Sequence, residues 1–182
     1  LVYKTLFKKE KIVIFDVGAN FGQSLKRFKS YLNIKNYYSF EPLKECYDYI
    51  VKNYNEAHYH HYNLAIGKSI ESKIFYVNNK KANSSFHKLN TNSNWWKNKK
   101  DHLTRHNIID ERSVEVTTLD YFIQNNNINN IDILKIDTQN HEDEVLLGLN
   151  QTLSKKFIKF IELEINVGDG YQKNLNFIDI ES

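Results

Sequence analysis

The sequence predicts an α/β fold, a mostly parallel sheet with helices on both faces. Two observations carry the prediction. Short runs of branched apolar residues alternate with segments whose apolar residues recur at helical spacing, an order that favours parallel strands covered by helices. Two of the runs, "IVIF" (12–15) and "IDILKID" (131–137), are nearly continuous, as expected of strands buried on both faces.

The elements follow in order. After the strand at 12–15, residues 24–32 place Leu25, Phe28 and Leu32 on one helical face. "YYSF" (37–40) is a second strand, stopped by Glu41-Pro42. Pro42 suits the first turn of a helix, because its missing N–H has no partner there. That helix carries Leu43, Tyr47, Ile50, Val51 and Tyr54 on its buried face. "HYHHYNLAI" (58–66) alternates and reads as one strand ending at Gly67. "SKIFYV" (72–77) follows too closely for an intervening helix, so the two are expected to pair as a hairpin. From 78 to 110 the periodicity fails. "SVEVTT" (113–118) is a short strand, and Thr118 is placed to cap a helix carrying Leu119, Phe122 and Ile123. After 131–137, Val145, Leu146, Leu149 and Leu153 sit at helical spacing, and "FIKFIELEI" (157–165) is a last strand.

The 182 residues favour a single domain spanning 1–182. Hydrophobic residues make up 41% and charged residues 26%, so a polar globular protein is expected. No apolar run approaches the roughly 18 residues of a membrane span. Lysines follow the short N-terminal apolar piece, which is not the order of a secretory signal. The chain contains no Met, even at position 1, which suggests an excised fragment. Cys46 stands alone, so no intramolecular disulfide forms and a reducing, cytoplasmic compartment is expected. Its neighbours Leu43, Tyr47 and Ile50 make it a packing thiol. A net charge of +3 is too weak to name a partner.

In parallel sheets, ligands bind beyond the carboxyl ends of the strands, where strand order reverses. Those ends hold Asp16–Gly22, Glu41, Asn63–Gly67, Asp137–Glu142 and Glu164. In "FDVGANFG" (15–22), Gly18 and Gly22 allow a tight turn and close approach of a ligand. The dinucleotide fingerprint G-x-G-x-x-G is not met, because Asn20 stands where its second glycine belongs. The phosphate loop fails too, since no G-K-[ST] follows. Asp16 would repel a phosphate and attract an ammonium group. Glu41, at the end of the next strand, is placed to accept from two ribose hydroxyls. A ligand joining an amino-acid end to a nucleoside without phosphate fits this pair, and S-adenosylmethionine is such a ligand.

The motifs "FDVGANFG", "FEP" (40–42), "NLAIG" (63–67), "TTLD" (117–120) and "LKIDTQNHEDEVLLG" (134–148) resemble the FkbM-type methyltransferases, in the same order. The resemblance implies a Rossmann-like class I fold and an S-adenosylmethionine-dependent enzyme, with O-methylation of a sugar or small metabolite as the expected reaction. It implies that Asp16, Gly18, Asn20, Gly22 and Glu41 hold the cofactor. It places Asn63 and Ala65 near the adenine, and Asp137 near the methionine end or the reaction centre. Asn140 stands where the family has glycine, and asparagine tolerates the positive φ such a turn requires. Only "VGDGYQKNLNFIDIES" (167–182) remains for the strand hairpin that ends class I folds, so a truncated or differently formed edge is expected.

Methyl transfer needs an aligned acceptor and often a base. Asp137, His141 and Glu142 are the candidates, the last two expected to face the cleft from the start of the helix after 131–137. Asp137 and Glu142 could share a divalent ion with a sugar diol, but no His/Cys ligand spacing supports a metal, and none is expected. "NSNWWKNKKDHLTRH" (92–106), with Trp95, Trp96, Lys97, Lys99, Lys100 and Arg105, reads as a lid over the substrate, as packing, or as a single-stranded RNA surface. Two rivals from other classes stand beside the enzyme: a non-catalytic cofactor-binding module and an RNA-binding protein or RNA methyltransferase.

Overall fold

The computed structural model describes residues 2–7, 10–90, 92–93, 107–165, 168–173 and 175. Among them run α1 (Val2–Phe7), β1 (Lys11–Val17), α2 (Gln23–Lys29), β2 (Asn33–Phe40), α3 (Lys44–Asn53), β3 (Tyr59–Tyr62), β4 (Ala65–Ile66) and β5 (Glu71–Asn78). A 3-10 turn (Lys81–Asn83), β6 (Ile108–Thr117), α4 (Leu119–Asn125), β7 (Ile131–Ile136), α5 (Glu142–Leu147), α6 (Asn150–Ser154) and β8 (Ile158–Leu163) complete them. No described helix is long and apolar enough to cross a membrane.

The central sheet has five strands in the order β3-β2-β1-β7-β8, every pair parallel. Chain order runs outward from β1 to β2 and β3, then returns to β7 and β8 on the other side. Strand order therefore reverses between β1 and β7, and those two strands are the most buried. Side chains alternate across β1. Ile12 and Ile14 pack with Phe7, Leu25 and Phe28 of α1 and α2, whereas Val13, Phe15 and Val17 pack with Leu119, Phe122 and Ile123 of α4. Helices thus cover both faces, as expected. Phe15 is fully buried against the rings of Tyr38, Phe40 and Phe122, and truncating such a side chain costs about 3–5 kcal/mol. Thr118 caps α4 by accepting from the Tyr121 N–H.

Four expectations are corrected. Residues 58–66 form two strands, β3 in the central sheet and β4 in a second, three-stranded sheet ordered β4-β6-β5. β5 pairs antiparallel with β6, not with the strand before it, because β6 extends back to Ile108 and offers β5 a full-length partner. Pro42 lies ahead of α3, whose N-cap is Leu43, since Glu41 holds the preceding turn. The helical stretch after β7 is two pieces, α5 and α6, parted at Gly148, where a Cβ would lie 2.1 Å from the Gly67 carbonyl oxygen. Trp95, Trp96, Lys97, Lys99, Lys100 and Arg105, and most of the expected final hairpin, lie outside the described residues.

Candidate active site

A cleft of about 430 Å³ opens where strand order reverses, beyond the carboxyl ends of β1, β2 and β7. The second sheet and the 3-10 turn form its far wall through Phe75, Lys80–Ser84 and Phe86.

The floor is the loop after β1. Gly18, Asn20 and Gly22 have φ of 81°, 49° and 78°. The N–H groups of Gly18 and Ala19 both donate to the Phe40 carbonyl, which ties the loop to the end of β2. A Cβ on Gly18 would lie 1.9 Å from the Asp137 carbonyl oxygen, so the loop sits directly on the end of β7. Only glycine permits that approach. Gly22 does not line the cleft. It turns the chain into α2, packed against the Tyr54 ring.

Glu41 forms one end. Its Oε2 accepts from the Asn20 N–H at 2.8 Å and its Oε1 from the Leu43 N–H at 2.9 Å, so one carboxyl joins the glycine loop to the start of α3. Burial pushes its pKa up to about 7 despite those bonds. Glu41 lines the cleft, and each carboxyl oxygen has a second lone pair beyond these bonds. Asn63 donates from Nδ2 to the carbonyls of Glu41 and Pro42, which fixes the approach to Leu64, Ala65 and Ile66 on the wall. Ala65 therefore reaches the cleft and Asn63 supports it from behind. Cys46 is buried and donates toward Asn20 Oδ1; burial raises its thiol to about 12, far from a reactive thiolate.

The opposite end is acidic and tightly tied. Asp137 accepts from Gln139 Nε2 at 2.8 Å, and its other oxygen pairs with Lys135 Nζ at 3.2 Å. Lys135 also reaches Asp16 at 3.4 Å. Burial opposes the Lys135 charge, but Asp16 and Asp137 outweigh it and hold its pKa above the ordinary lysine value. Gln139 is locked in turn by the Tyr171 hydroxyl at 2.9 Å. Glu164, just past β8, completes this end.

Three more expected site residues lie outside the cleft lining. Asp16 is fully buried and does not reach the cleft. It shares the inward face of β1 with Ile12 and Ile14, bonded to the Tyr37 hydroxyl and paired with Lys135. His141 and Glu142 do not face the cleft either. The His141 ring is buried beside Phe86 and His87, with centroids 4.5 and 5.6 Å away, and burial drops its pKa to about 2. A base so weak accepts no proton at neutral pH. Buried Glu142 accepts from the Thr138 N–H and hydroxyl, closing the turn before α5. Asn140 holds that turn at φ 71°, as expected. Among the described residues no cluster of His, Cys, Asp or Glu could hold a metal ion.

Sequence reasoning missed Lys135, Gln139 and Tyr171. A lysine inside "IDILKID" was a visible signal, because a charge in a buried strand requires a partner. Tyr171 arrives from the C-terminal segment and left no local sign.

The model of the methyltransferase FkbM domain matches residues 16–182. The chain belongs to the FkbM methyltransferase family. Its fold is similar to a crystal structure of methyltransferase FkbM from Methylobacillus flagellatus KT, with a TM-score of 0.52 and 14% identity over 83% of this chain. The FkbM-family chain described here spans 32% of the length of that protein. No curated protein matches it.

Proposed function

We propose that this FkbM-family chain is an S-adenosylmethionine-dependent methyltransferase that methylates a hydroxyl of a sugar or other small metabolite. The observation that carries the reading is the polarity of the cleft, with the buried Glu41 carboxyl at one end and an excess of carboxylate at the other. Lys135 is a single cation among Asp16, Asp137 and Glu164, so that end favours a positively charged group and repels phosphate. S-adenosylmethionine would supply an activated methyl group on a sulfonium.

In this reading Glu41 accepts from the ribose hydroxyls, and the backbone of Gly18 and Asn20 lies along the ligand. Ala65 contacts the adenine, while Asn63 and Gly22 support the walls. Asp137, held by Lys135 and Gln139, orients the methionine end or the acceptor hydroxyl, and Asp16 acts through Lys135. His141 and Glu142 shape the turn that presents Asp137. Residues 1–182 form one domain, and the protein is cytoplasmic.

The test is transfer of a labelled methyl group from S-adenosylmethionine to a panel of sugars and small alcohols. Alkali-stable labelled product, lost in Asp137→Asn, is expected. Cofactor binding with no transfer to any acceptor would favour a non-catalytic module, and transfer to RNA alone would favour an RNA methyltransferase.

A further inference from the structure

Tyr171 reaches the cleft from a firm mount. On either side of it the chain pairs with the segment after the 3-10 turn: the Asn90 N–H donates to the Gly170 carbonyl at 3.0 Å, and the Gln172 N–H to the Lys88 carbonyl at 2.8 Å. Its ring is 3% exposed, packs on Leu89 and lines the cleft. The hydroxyl has one proton and stands between two acceptors, Gln139 Oε1 at 2.9 Å and the Asn83 carbonyl at 3.1 Å. Asn83 belongs to the 3-10 turn of the far wall, whereas Gln139 belongs to the turn after β7.

The backbone of Gln139 is held as firmly. Gln139 and Asn140 have φ of 56° and 71°, two successive left-handed residues of a kind that persists only where the surroundings over-determine it. The Ser85 hydroxyl donates to the Gln139 carbonyl at 2.6 Å, and Asn140 Nδ2 donates to the Lys173 carbonyl at 2.7 Å. The two ends of the Gln139 amide then do different work. Oε1 accepts from Tyr171 while Nε2 donates to Asp137 Oδ1 at 2.8 Å, a polarity that suits an ionised Asp137. Turned over, the same contacts suit a protonated one. The Asp137 O–H donates to Oε1, Nε2 donates to the Tyr171 oxygen, and the Tyr171 hydroxyl donates to the Asn83 carbonyl. Lys135 stays on the other oxygen, Oδ2, in both arrangements.

We propose that Tyr171 and Gln139 are positioning residues that form a reversible hydrogen-bond relay, through which Asp137 takes the proton of the acceptor hydroxyl without stranding a polar group. The role rests on the O-methylation reading above. As the acceptor oxygen gains the methyl carbon, the sulfonium C–S bond breaks to a neutral sulfide and the acceptor O–H proton passes to Asp137 Oδ1. The new O–H turns to Gln139, the amide inverts, and the Tyr171 hydroxyl swings to Asn83. Loss of that proton to solvent restores the first arrangement. A fixed donor at Gln139 would instead meet the protonated carboxyl donor to donor, with the cost of an unsatisfied group.

The test has two arms. In NMR of the ligand-free protein, the Tyr171 Cζ signal should step at the pH where the Asp137 carboxyl carbon titrates, and that step should vanish in Gln139→Leu. Lys135, Glu142, Glu164 and the Lys173–Asp143 pair surround these groups, and their direct field reaches Tyr171 with or without the amide. A Tyr171 signal that ignores Asp137, or follows it equally in Gln139→Leu, would overturn the relay. The second arm is methyl transfer from S-adenosylmethionine to methyl hexosides. There kcat should fall about ten- to a hundredfold in Tyr171→Phe, a share of general-base catalysis. Affinity for S-adenosylhomocysteine should stay within about twofold, and Tyr171→Phe should add less than about twofold to the loss in Gln139→Leu, because the two act as one unit. Wild-type kcat in Tyr171→Phe, or a fall matched by lost affinity, would overturn the role of Tyr171 alone. No transfer by wild type to any of these sugars would overturn the O-methylation reading and this role with it.

Discussion

Replacing Gly18 by alanine tests the construction of the cleft floor. The backbone there has φ 81°, a region costing an L-residue roughly 1–2 kcal/mol. The added Cβ would also stand 1.9 Å from the Asp137 carbonyl oxygen, a backbone atom that cannot rotate aside. Relieving that clash requires the loop and the end of β7 to part, at about 1–3 kcal/mol for such overpacking. A total near 3 kcal/mol corresponds to a drop in Tm of about 6–12 °C for a chain this long. Because the loop is also bonded to Glu41 through Asn20, affinity for S-adenosylhomocysteine should fall at least about tenfold, or 1.4 kcal/mol. Gly22→Ala is the control. Its φ is 78°, but the obstacle is the edge of the Tyr54 ring at 2.7 Å, which can turn, so a smaller loss is expected. Thermal unfolding followed by ligand titration measures both. A Gly18→Ala protein with wild-type Tm and affinity would refute the reasoning.

Three further outcomes are expected. Glu41→Gln should weaken S-adenosylhomocysteine binding by about 1.5–3 kcal/mol through loss of charge-assisted bonds. Folding raises the Glu41 pKa from 4.5 to about 7, so wild type loses stability relative to this variant as pH rises through that interval. The relative loss is about 3 kcal/mol, readable in urea at pH 4.5 and 8. Lys135→Met should cost about 3–5 kcal/mol, because it strands Asp16 and Asp137 near one another, and unchanged urea stability would remove Lys135 from its central place. His141 is held neutral in the fold and its pKa is depressed, so its stabilisation is present above pH 6.5 and lost as pH falls. Wild type should lose about 2 kcal/mol relative to His141→Asn between pH 6.5 and 5, and a constant difference would contradict the buried neutral ring.

How much of this was legible in the sequence depended on the range of each interaction. Continuous apolar runs and helical spacing are local, so β1, β7 and the covering helices could be read directly. The positive φ at Gly18 and Asn140 was legible for the same reason: residue type records backbone conformation. Strand partners are not local. "SKIFYV" was visibly a strand, but nothing within it says that residues 108–116 pair with it across a long connection. The site shows the same division. Glu41 and Asp137 were found as strand-end acids, whereas His141 was misread because Phe86 and His87 come from the other sheet's connection to bury it. Asp16 held an unused local signal. Alternation along β1 puts it on the face of Ile12 and Ile14, toward α2 and away from the cleft.

The central claim is that the cleft holds an adenosyl ligand with a cationic tail and no phosphate. Calorimetric titration of S-adenosylhomocysteine, NAD and ATP into the same protein tests it most directly. One-to-one binding of S-adenosylhomocysteine, weakened by Glu41→Gln, with no saturable heat from NAD or ATP, is the expected result. Binding of NAD or ATP, or no binding of S-adenosylhomocysteine, would contradict it.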